Sequence, residues 1–455
     1  MASIFAPMRR ISFRQVLGVQ HWQVACKLPP GRVRRRQQIS TVTGKKKLEV
    51  GIDRGYKNFD YVFLRDACTC QQCIDPSTRQ RLFQTSDIPA NIKTRDIKPT
   101  AEGNLKLTWE NDIPGYGDAH ISEITPQFVR ANEDLRRRIR GRYNDQRQIL
   151  WDRGIMEENV KWIEYKEYVA DDEKFFEALL QLSRYGLVFL KGVPDSERAI
   201  ETIGNRIGPL RDTFYGRTWD VKSVPNAKNI AYVQWFPLER LLLTYARYTP
   251  HNLGLHMDLL YFANPPTLQL LHCLRNSVTG GSSIFSDSFH AATRIQLSSQ
   301  SHFKSLTTFP VTFHYRNAGE HYHYIRPTVE LEQYSYRKRP RIANVNWSPP
   351  FQGPYEIHLE GTELRLYLAA VKEFAKFTRA PQSQFELTLK PGECVIFNNR
   401  RVLHARRAFD PSSGERWLKG AYVDGDPFQS RLRVLSETLS HAGSEVDFGG
   451  CLQID

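Results

Sequence analysis

The first 47 residues of this 455-residue chain lack aspartate and glutamate, and the first acidic residue is Glu49. The segment carries eleven lysines and arginines, and without them the formal net charge falls from +14 to +3. The rest of the chain is therefore nearly balanced in charge. This balance argues against the basic folded face that nucleic-acid-binding domains present, so we expect no nucleic-acid partner.

The sequence also lacks a long apolar run and an internal repeat. A membrane-spanning helix needs about 20 consecutive apolar residues, so we predict no membrane span. Residues 1–47 have scattered arginines, interspersed apolar residues and hydroxyl residues near their end, as in a mitochondrial transit peptide. We expect this segment to be disordered and the protein to be mitochondrial. The alternative is a disordered basic tail.

Cysteine is scarce, with seven residues in an odd and mostly dispersed pattern that argues against a disulfide framework. Cys68, Cys70 and Cys73 are the exception, because they form a CxCxxC cluster. Three thiolates this close in sequence suit tetrahedral Zn²⁺, which needs a fourth ligand. The alternative is a set of free cysteines in a loop.

The chain divides by pattern into further segments. Residues 48–125 contain the short strand-like runs KKLEVGI, YVFLRDAC and LKLTWE, which predict a small β-rich domain. Residues 126–171 are charged and predict a helical connector, and residues 441–455 form a C-terminal tail.

Residues 172–440 predict a mainly β domain with flanking helices. The run FFEALLQLSRYG predicts a helix ended by Gly186, and another helix is expected near 361–378. Apolar strands such as LVFLKGV, TLQLLHCLR, CVIFNN and WLKGAYVD lie between turn residues. This alternation of strands and turns predicts a β-barrel or jelly roll.

His256-Met257-Asp258 is an HxD triplet in which two metal-ligating side chains lie two residues apart. On a strand such residues project to the same face. His404, after the strand CVIFNN, is the best candidate for the second histidine of a 2-His-1-carboxylate site, which leaves iron positions open. The alternative for His256 is an ordinary polar residue at a strand end.

Arg416 follows His404 by twelve residues, on a predicted neighbouring strand. A buried arginine can bind the distal carboxylate of 2-oxoglutarate through two parallel hydrogen bonds. The alternative is a surface salt bridge, and Arg406 and Arg407 compete for the same role.

Four long motifs resemble the γ-butyrobetaine hydroxylase and trimethyllysine dioxygenase family, which belongs to the taurine-dioxygenase-like 2-oxoglutarate oxygenases. They are HMDLLYFANPPTLQLLHCL, VTGGSSIFSDSFHAA, LKPGECVIFNNRRVLHARRAF and RWLKGAYVDGDPFQSRLRVL. The resemblance covers roughly residues 48–437. It implies a double-stranded β-helix (jelly roll) with His256, Asp258 and His404 binding Fe(II), and Arg416 binding 2-oxoglutarate beside Leu271.

The resemblance also implies the remaining sites and the reaction. His120 matches the family's zinc histidine, which would complete a structural Cys₃His site with Cys68, Cys70 and Cys73. The expected reaction is hydroxylation of a small trimethylammonium-bearing acid, γ-butyrobetaine-like, as in carnitine biosynthesis, with ascorbate as reductant. A homodimer is expected because the family is often dimeric.

A quaternary ammonium group is recognised by aromatic faces, since it has no hydrogen-bond donor. Residues matching the family's substrate site are Tyr215, Trp219, Asn229, Tyr232, Asn346 and Tyr422. The alternative for each aromatic residue is core packing.

The sequence departs from the family at two places. Leu259 stands where butyrobetaine hydroxylases have tyrosine, and the following Tyr261-Phe262 is closer to the trimethyllysine pattern. Val233–Tyr248 interrupts a short family loop, and we interpret it as a translated intron or gene-model error, which a transcript containing it would refute. The alternatives are trimethyllysine or another small acid as substrate, or an inactive zinc-stabilised mitochondrial homologue.

Overall fold

The computed structural model divides the chain into two compact units, residues 1–145 and 146–455. The structure describes residues 20–23, 38–43, 47–52, 55–117, 119–132, 134–135, 148–223, 253–317, 319–332, 340–357 and 362–441. The predicted insertion Val233–Tyr248 and the predicted tail beyond 441 lie outside these residues. None of the described helices has both the length and the apolar content needed to span a membrane.

The first unit contains two antiparallel sheets, with strand orders β1-β2-β3-β4 and β5-β6-β7. Its strands are β1 Gln20–Gln23, β2 Gln38–Thr43, β3 Lys47–Ile52, β4 Gly55–Asp60, β5 Lys93–Pro99, β6 Leu105–Glu110 and β7 Ile121–Ile124. Its helices are α1 Tyr61–Asp66 and α2 Pro126–Asn132, with a 3₁₀ turn at Thr85–Asp87. Leu105, Leu107 and Trp109 alternate into the core, which confirms the predicted strand LKLTWE.

The prediction of a strand at YVFLRDAC is wrong, because α1 occupies most of this run. The Asp60 carboxylate accepts a hydrogen bond from the backbone N–H of Val62 and so caps the helix. The buried side chains of α1 are Tyr61, Leu64 and Arg65, which have the helical spacing of three and four residues.

The second unit contains most of the regular structure. Its strands are β8 Trp162–Glu164, β9 Leu187–Lys191, β10 Thr218–Ser223, β11 Leu253–His256, β12 Leu268–Asn276, β13 Thr279–Gly280, β14 Ser283–Asp287, β15 Val311–Asn317, β16 Glu320–Arg326, β17 Val329–Leu331, β18 Ile342–Val345, β19 Phe385–Leu387, β20 Cys394–Asn398, β21 Val402–Arg406, β22 Phe409–Asp410 and β23 Arg416–Val423. Its helices are α3 Arg153–Asn159, α4 Tyr165–Ala170, α5 Asp172–Tyr185, α6 Ala199–Ile207, α7 Ser288–Ser298, α8 Gln300–Thr308, α9 Glu363–Arg379 and α10 Gly425–His441, with 3₁₀ turns at Pro349–Phe351 and Pro381–Ser383.

Two sheets face each other in this unit, as the predicted jelly roll requires. The larger has the order β10-β23-β12-β20-β9-β8 and the smaller β11-β21-β14-β19. Leu271 and Phe397 of the larger sheet share a hydrophobic cluster with Phe285 and Leu403 of the smaller. The sheets therefore enclose one apolar core between them.

Helices cover the outer face of the larger sheet. Leu268 and Leu270 of β12 point outward and pack in a cluster with Leu179 of α5, Ile203 of α6 and Leu432 of α10. The helix predicted at FFEALLQLSRYG is confirmed as α5, and it ends at Gly186, whose φ of 77° is left-handed.

The division at residue 145 falls inside the predicted connector 126–171. Trp151 and Met156 are fully buried in the core of the second unit, and β8 pairs with β9 of its larger sheet. The second half of the predicted connector thus belongs to the second unit. In the predicted transit segment, β2 pairs with β3.

Candidate active site

His256, Asp258 and His404 converge, as predicted, on two neighbouring strands of the smaller sheet, β11 and β21. The ligand atoms of the three side chains all lie within 4.8 Å of one another. His256 and His404 are directly opposite in the pairing of β11 with β21, and their ring centroids are 4.1 Å apart. Asp258 lies just beyond the end of β11, with Oδ1 3.6 Å from His256 Nε2.

Hydrogen bonds orient the two buried ligands of the HxD triplet. His256 Nδ1 donates to the Gly254 carbonyl at 2.9 Å, which leaves Nε2 with its lone pair toward Asp258. Asp258 Oδ2 accepts hydrogen bonds from Gln269 Nε2 at 2.9 Å and from the Tyr422 hydroxyl at 3.1 Å. Both donors bind the same oxygen, whereas Oδ1 faces His256.

The backbone of Asp258 is held by Asn399, a residue that the sequence analysis missed. Asn399 Oδ1 accepts from the Asp258 N–H, and its Nδ2 donates to the Asp258 carbonyl, both at 2.9 Å. The next residue, Leu259, has a φ of 61° and is fully buried. A left-handed backbone conformation is costly for a leucine. The two hydrogen bonds from Asn399 hold the backbone of Asp258, the residue immediately before Leu259.

A cavity that opens to solvent lies beside the three ligands. Among the described residues its lining includes Trp219, Leu271, Arg406 and Arg416. Arg416 comes from β23 of the larger sheet, whereas His404 comes from β21 of the smaller, so the predicted neighbouring strand lies in the facing sheet. Charged and apolar side chains around one cavity are the lining expected of a site for a small organic ligand.

Arg416 is 97% buried, and its Nε and Nη1 have no hydrogen-bond partner among the described residues. Burial lowers the pKa of Arg416 to about 10, so the guanidinium still carries its charge at neutral pH. Burial, together with the charge of Arg416, also lowers the pKa of Arg406 to about 10. Arg407 instead is exposed and pairs with Glu386 at 2.9 Å. The cavity therefore presents two cations.

The predicted substrate residues have different positions. Trp219 lines the cavity and stacks on Tyr422, with ring centroids 5.3 Å apart. The Tyr215 hydroxyl lies 3.4 Å from that of Tyr261, within an aromatic cluster. Asn229 and Tyr232 lie outside the described residues.

Asn346 is not among the residues that line the cavity. Its Nδ2 donates to the Pro327 carbonyl at 2.7 Å and to Glu330 at 3.0 Å, and its Oδ1 accepts from Arg400 Nη2 at 2.8 Å. Glu330 also pairs with Arg400 at 3.2 Å. In this structure Asn346 therefore belongs to a buried polar network.

The four predicted zinc ligands also converge. The ligand atoms of Cys68, Cys70, Cys73 and His120 all lie within 4.8 Å of one another. His120 Nε2 is 3.6 Å from Cys68 Sγ and 3.3 Å from Cys73 Sγ. Three thiols and one imidazole are the donors of a closed structural zinc site.

Asp112 and Arg65 support this cluster, although the sequence analysis identified neither. His120 Nδ1 lies 2.6 Å from Asp112 Oδ2, and Asp112 Oδ1 accepts from Arg65 Nε at 2.6 Å. Burial opposes protonation of His120, but its hydrogen bonds to Asp112 and Cys68 raise its pKa to about 9. The hydrogen bond between Cys68 and Cys73 lowers the pKa of Cys68 and raises that of Cys73.

Comparison with known proteins agrees with this geometry. The taurine catabolism dioxygenase TauD, TfdA family matches residues 158–422, and the gamma-butyrobetaine hydroxylase-like N-terminal family matches residues 39–116. The second match begins within the predicted transit segment, at the residues that form β2 and β3.

Relatives match nearly the whole chain. Dioxygenase str8 of Strobilurus tenacellus is 36% identical, covering 88% of this chain and 90% of its own. The gamma-butyrobetaine dioxygenase of Pseudomonas sp. (strain AK-1) is 32% identical over 83% of this chain and 90% of its own. Human mitochondrial trimethyllysine dioxygenase is 28% identical over 83% and 82%. The chain is a dioxygenase of the TauD, TfdA family and belongs with the γ-butyrobetaine and trimethyllysine dioxygenases within it.

Proposed function

We propose that this protein is an Fe(II)- and 2-oxoglutarate-dependent dioxygenase that hydroxylates a small trimethylammonium-bearing acid, γ-butyrobetaine-like, as in carnitine biosynthesis. The observation that carries the proposal is the convergence of His256, Asp258 and His404 beside a cavity that also contains the buried Arg416. The relatives named gamma-butyrobetaine dioxygenase support the substrate class.

The donor set fits a ferrous ion. Two imidazoles and one carboxylate on one face are typical of non-haem Fe(II) oxygenases, and they leave positions open on the other side. Bound there, iron would supply the oxidising chemistry that uses O₂ and 2-oxoglutarate. The protein fixes the imidazole of His256 through Gly254 and the carboxylate of Asp258 through Gln269 and Tyr422.

Arg416 and Arg406 fit the doubly charged cosubstrate. A buried guanidinium needs a negative partner, because desolvation is otherwise uncompensated. The Nε and Nη1 atoms of Arg416 have no partner among the described residues, and one edge of the guanidinium can pair with the distal carboxylate of 2-oxoglutarate through two hydrogen bonds. Arg406 adds a second positive charge to the same wall, and Leu271 contributes apolar lining.

Trp219 is the aromatic face best placed for a trimethylammonium group, since it lines the cavity. Tyr422 supports it by stacking from behind, while its hydroxyl holds Asp258. We assign Tyr215, Asn229 and Tyr232 to the same substrate site on the basis of the family resemblance.

Trimethyllysine, or another small acid, is the second candidate substrate. Leu259 stands where butyrobetaine hydroxylases have tyrosine, and it is fully buried among apolar neighbours. Its side chain offers no hydrogen bond to a short substrate. The sequence pattern Tyr261-Phe262 and the relatives named trimethyllysine dioxygenase favour this alternative.

Further parts of the proposal rest on the relatives and on the donor chemistry. Cys68, Cys70, Cys73 and His120 hold a structural Zn²⁺ in the first unit. The basic N-terminal segment directs the protein to mitochondria, as the name of the human trimethyllysine dioxygenase suggests. Ascorbate acts as reductant, and the functional protein is a homodimer.

The test is a mass-spectrometric screen of betaines and N-trimethyl amino acids with Fe(II), 2-oxoglutarate and ascorbate. We expect one substrate to gain a single oxygen with an equal yield of succinate. The matched control is a neutral isostere with a tert-butyl group in place of trimethylammonium. Two negative results together would favour the inactive-homologue alternative. No compound would gain oxygen, and no succinate would form from 2-oxoglutarate when the substrate is left out.

A further inference from the structure

The hairpin formed by β15 and β16 carries three histidines on one face. His314 of β15 is directly opposite His323 of β16, and His321 lies two residues before His323 on the same strand. Directly paired residues and residues two apart on a strand project to the same side. The three imidazoles are therefore neighbours on the surface of this hairpin.

Two distances show that the side chains around this site lie close to one another. The ring centroids of His314 and His321 are 5.3 Å apart. His323 Nε2 lies 2.6 Å from Glu356 Oε1, a carboxylate on the segment that crosses β15 through the Phe313 to Gln352 bridge. His321 and His323 are exposed, so their rings can change rotamer at little cost.

We infer that His314, His321 and His323 form a surface site for a divalent transition-metal ion, with Zn²⁺ as the best candidate and Glu356 holding the ring of His323. Three imidazoles on β-strands are a known zinc donor set, and imidazole also suits copper and nickel. A carboxylate bonded to a ligating histidine fixes the orientation of its ring. The site is distinct from the two ligand clusters whose atoms already lie within 4.8 Å of one another.

Two charged side chains beside the site act on a bound cation in opposite directions. Arg316, paired with His321 across the hairpin, places a positive charge beside the ion. Glu356 offsets that charge. The Arg316→Gln substitution should therefore tighten metal binding.

The opposite face of the hairpin packs against the aromatic cluster of the catalytic unit. Tyr315 stacks on Tyr261 with centroids 5.1 Å apart, and Tyr322 stacks on Phe214 at 5.1 Å. An ion that joins β15 to β16 would cross-link the two strands from outside. A metal ion that binds only the folded state would stabilise that state by an amount that grows with the logarithm of the metal concentration once this exceeds the Kd.

The experiment measures Zn²⁺ bound per chain by equilibrium dialysis and elemental analysis of the full-length protein, at micromolar free Zn²⁺. Wild type should bind one ion more than the His321→Asn/His323→Asn variant. Competition with a chelator of known affinity should show at least about tenfold weaker binding for each single variant. Unchanged circular dichroism and turnover would confirm that the variants fold.

His302→Asn is the matched control, because His302 Nδ1 also lies 2.6 Å from a carboxylate, that of Glu373, on the helical part of the unit. It should leave the Zn²⁺ count unchanged, and Arg316→Gln should raise the affinity. Equal counts for wild type and the double histidine variant would overturn the inference. The zinc count requires no substrate. Failure of this inference can therefore be distinguished from failure of the proposed dioxygenase activity.

Discussion

The two buried ligand clusters differ in how many donors they offer and in what surrounds them. Cys68, Cys70, Cys73 and His120 supply four donors, which fill a tetrahedral ion. His256, Asp258 and His404 supply three donors beside an open cavity. A filled shell holds a fold together, whereas an incomplete shell with adjoining space leaves room for reacting groups.

Both clusters orient one histidine through its Nδ1 atom, but the partner differs. His120 Nδ1 faces the carboxylate of Asp112, while His256 Nδ1 donates to the carbonyl of Gly254. A carboxylate makes the imidazole a more basic ligand than a carbonyl does. We therefore expect the four-donor cluster to retain its metal more tightly than the three-donor cluster does. The following predictions test that contrast, from the largest effect to the smallest.

The largest effect is expected at the open cluster. His404→Ala should lower the turnover number by at least about a thousandfold, because the metal contributes several kcal/mol to catalysis. The thermal midpoint should change little, since His404 is at the cavity edge. Succinate and product yields measure the loss, with His302→Ala as control. Residual turnover above a tenth of wild type would contradict the assignment.

Arg416→Ala should raise the KM for 2-oxoglutarate by about 10- to 100-fold, because two charge-assisted hydrogen bonds are lost. The matched control is Arg407→Ala, which removes an exposed arginine paired with Glu386. Initial rates at varied 2-oxoglutarate give both KM values. An unchanged KM for Arg416→Ala would show that another cation binds the cosubstrate.

Asp112→Asn should weaken zinc retention by about 10- to 100-fold, because His120 loses its carboxylate partner. The change should lower the chelator concentration at which the first unit unfolds. Chelator titration followed by circular dichroism measures it. The control is Asp66→Asn, which breaks the exposed 2.6 Å pair with Arg81 in the same unit. Equal sensitivity of the two variants would refute the role of Asp112.

Trp219→Ala should weaken a trimethylammonium substrate by about 2- to 30-fold and spare its neutral isostere, because only the cation interacts with the ring quadrupole. Binding of both compounds, measured by calorimetry at saturating 2-oxoglutarate, gives the ratio. An equal loss for both compounds would mean that Trp219 contributes apolar packing alone.

Short spacings in the sequence predicted only part of each cluster, namely Cys68, Cys70 and Cys73 of one and His256 and Asp258 of the other. The CxCxxC cluster places three thiols within six residues, and the HxD triplet places two donors on one side of a strand. Local geometry alone brings the donors of each motif together. The register that sets His256 opposite His404 depends on pairing between distant strands. No spacing in the sequence sets that register. His404 was a candidate because it follows the predicted strand CVIFNN, and the family resemblance implied the same role.

The supporting residues were harder to predict. Asn399 and Gln269 act on Asp258 through tertiary contacts that no spacing signals. Arg406 did have a signal, since it lies two residues after His404 on β21 and so shares its face. At YVFLRDAC the apolar residues Tyr61 and Leu64 also fitted a helical period. The hydrogen bond from Val62 to the Asp60 side chain caps this helix and favours it over a strand.

The most direct measurement is the metal content of wild type and His256→Ala, both purified without oxygen and dialysed against excess Fe(II) at limiting free Zn²⁺. Our account predicts one iron and one zinc per chain in wild type. In the variant it predicts one zinc and no iron, with the fold intact by circular dichroism. Iron retained at one equivalent in His256→Ala would contradict the account, as would loss of both metals together.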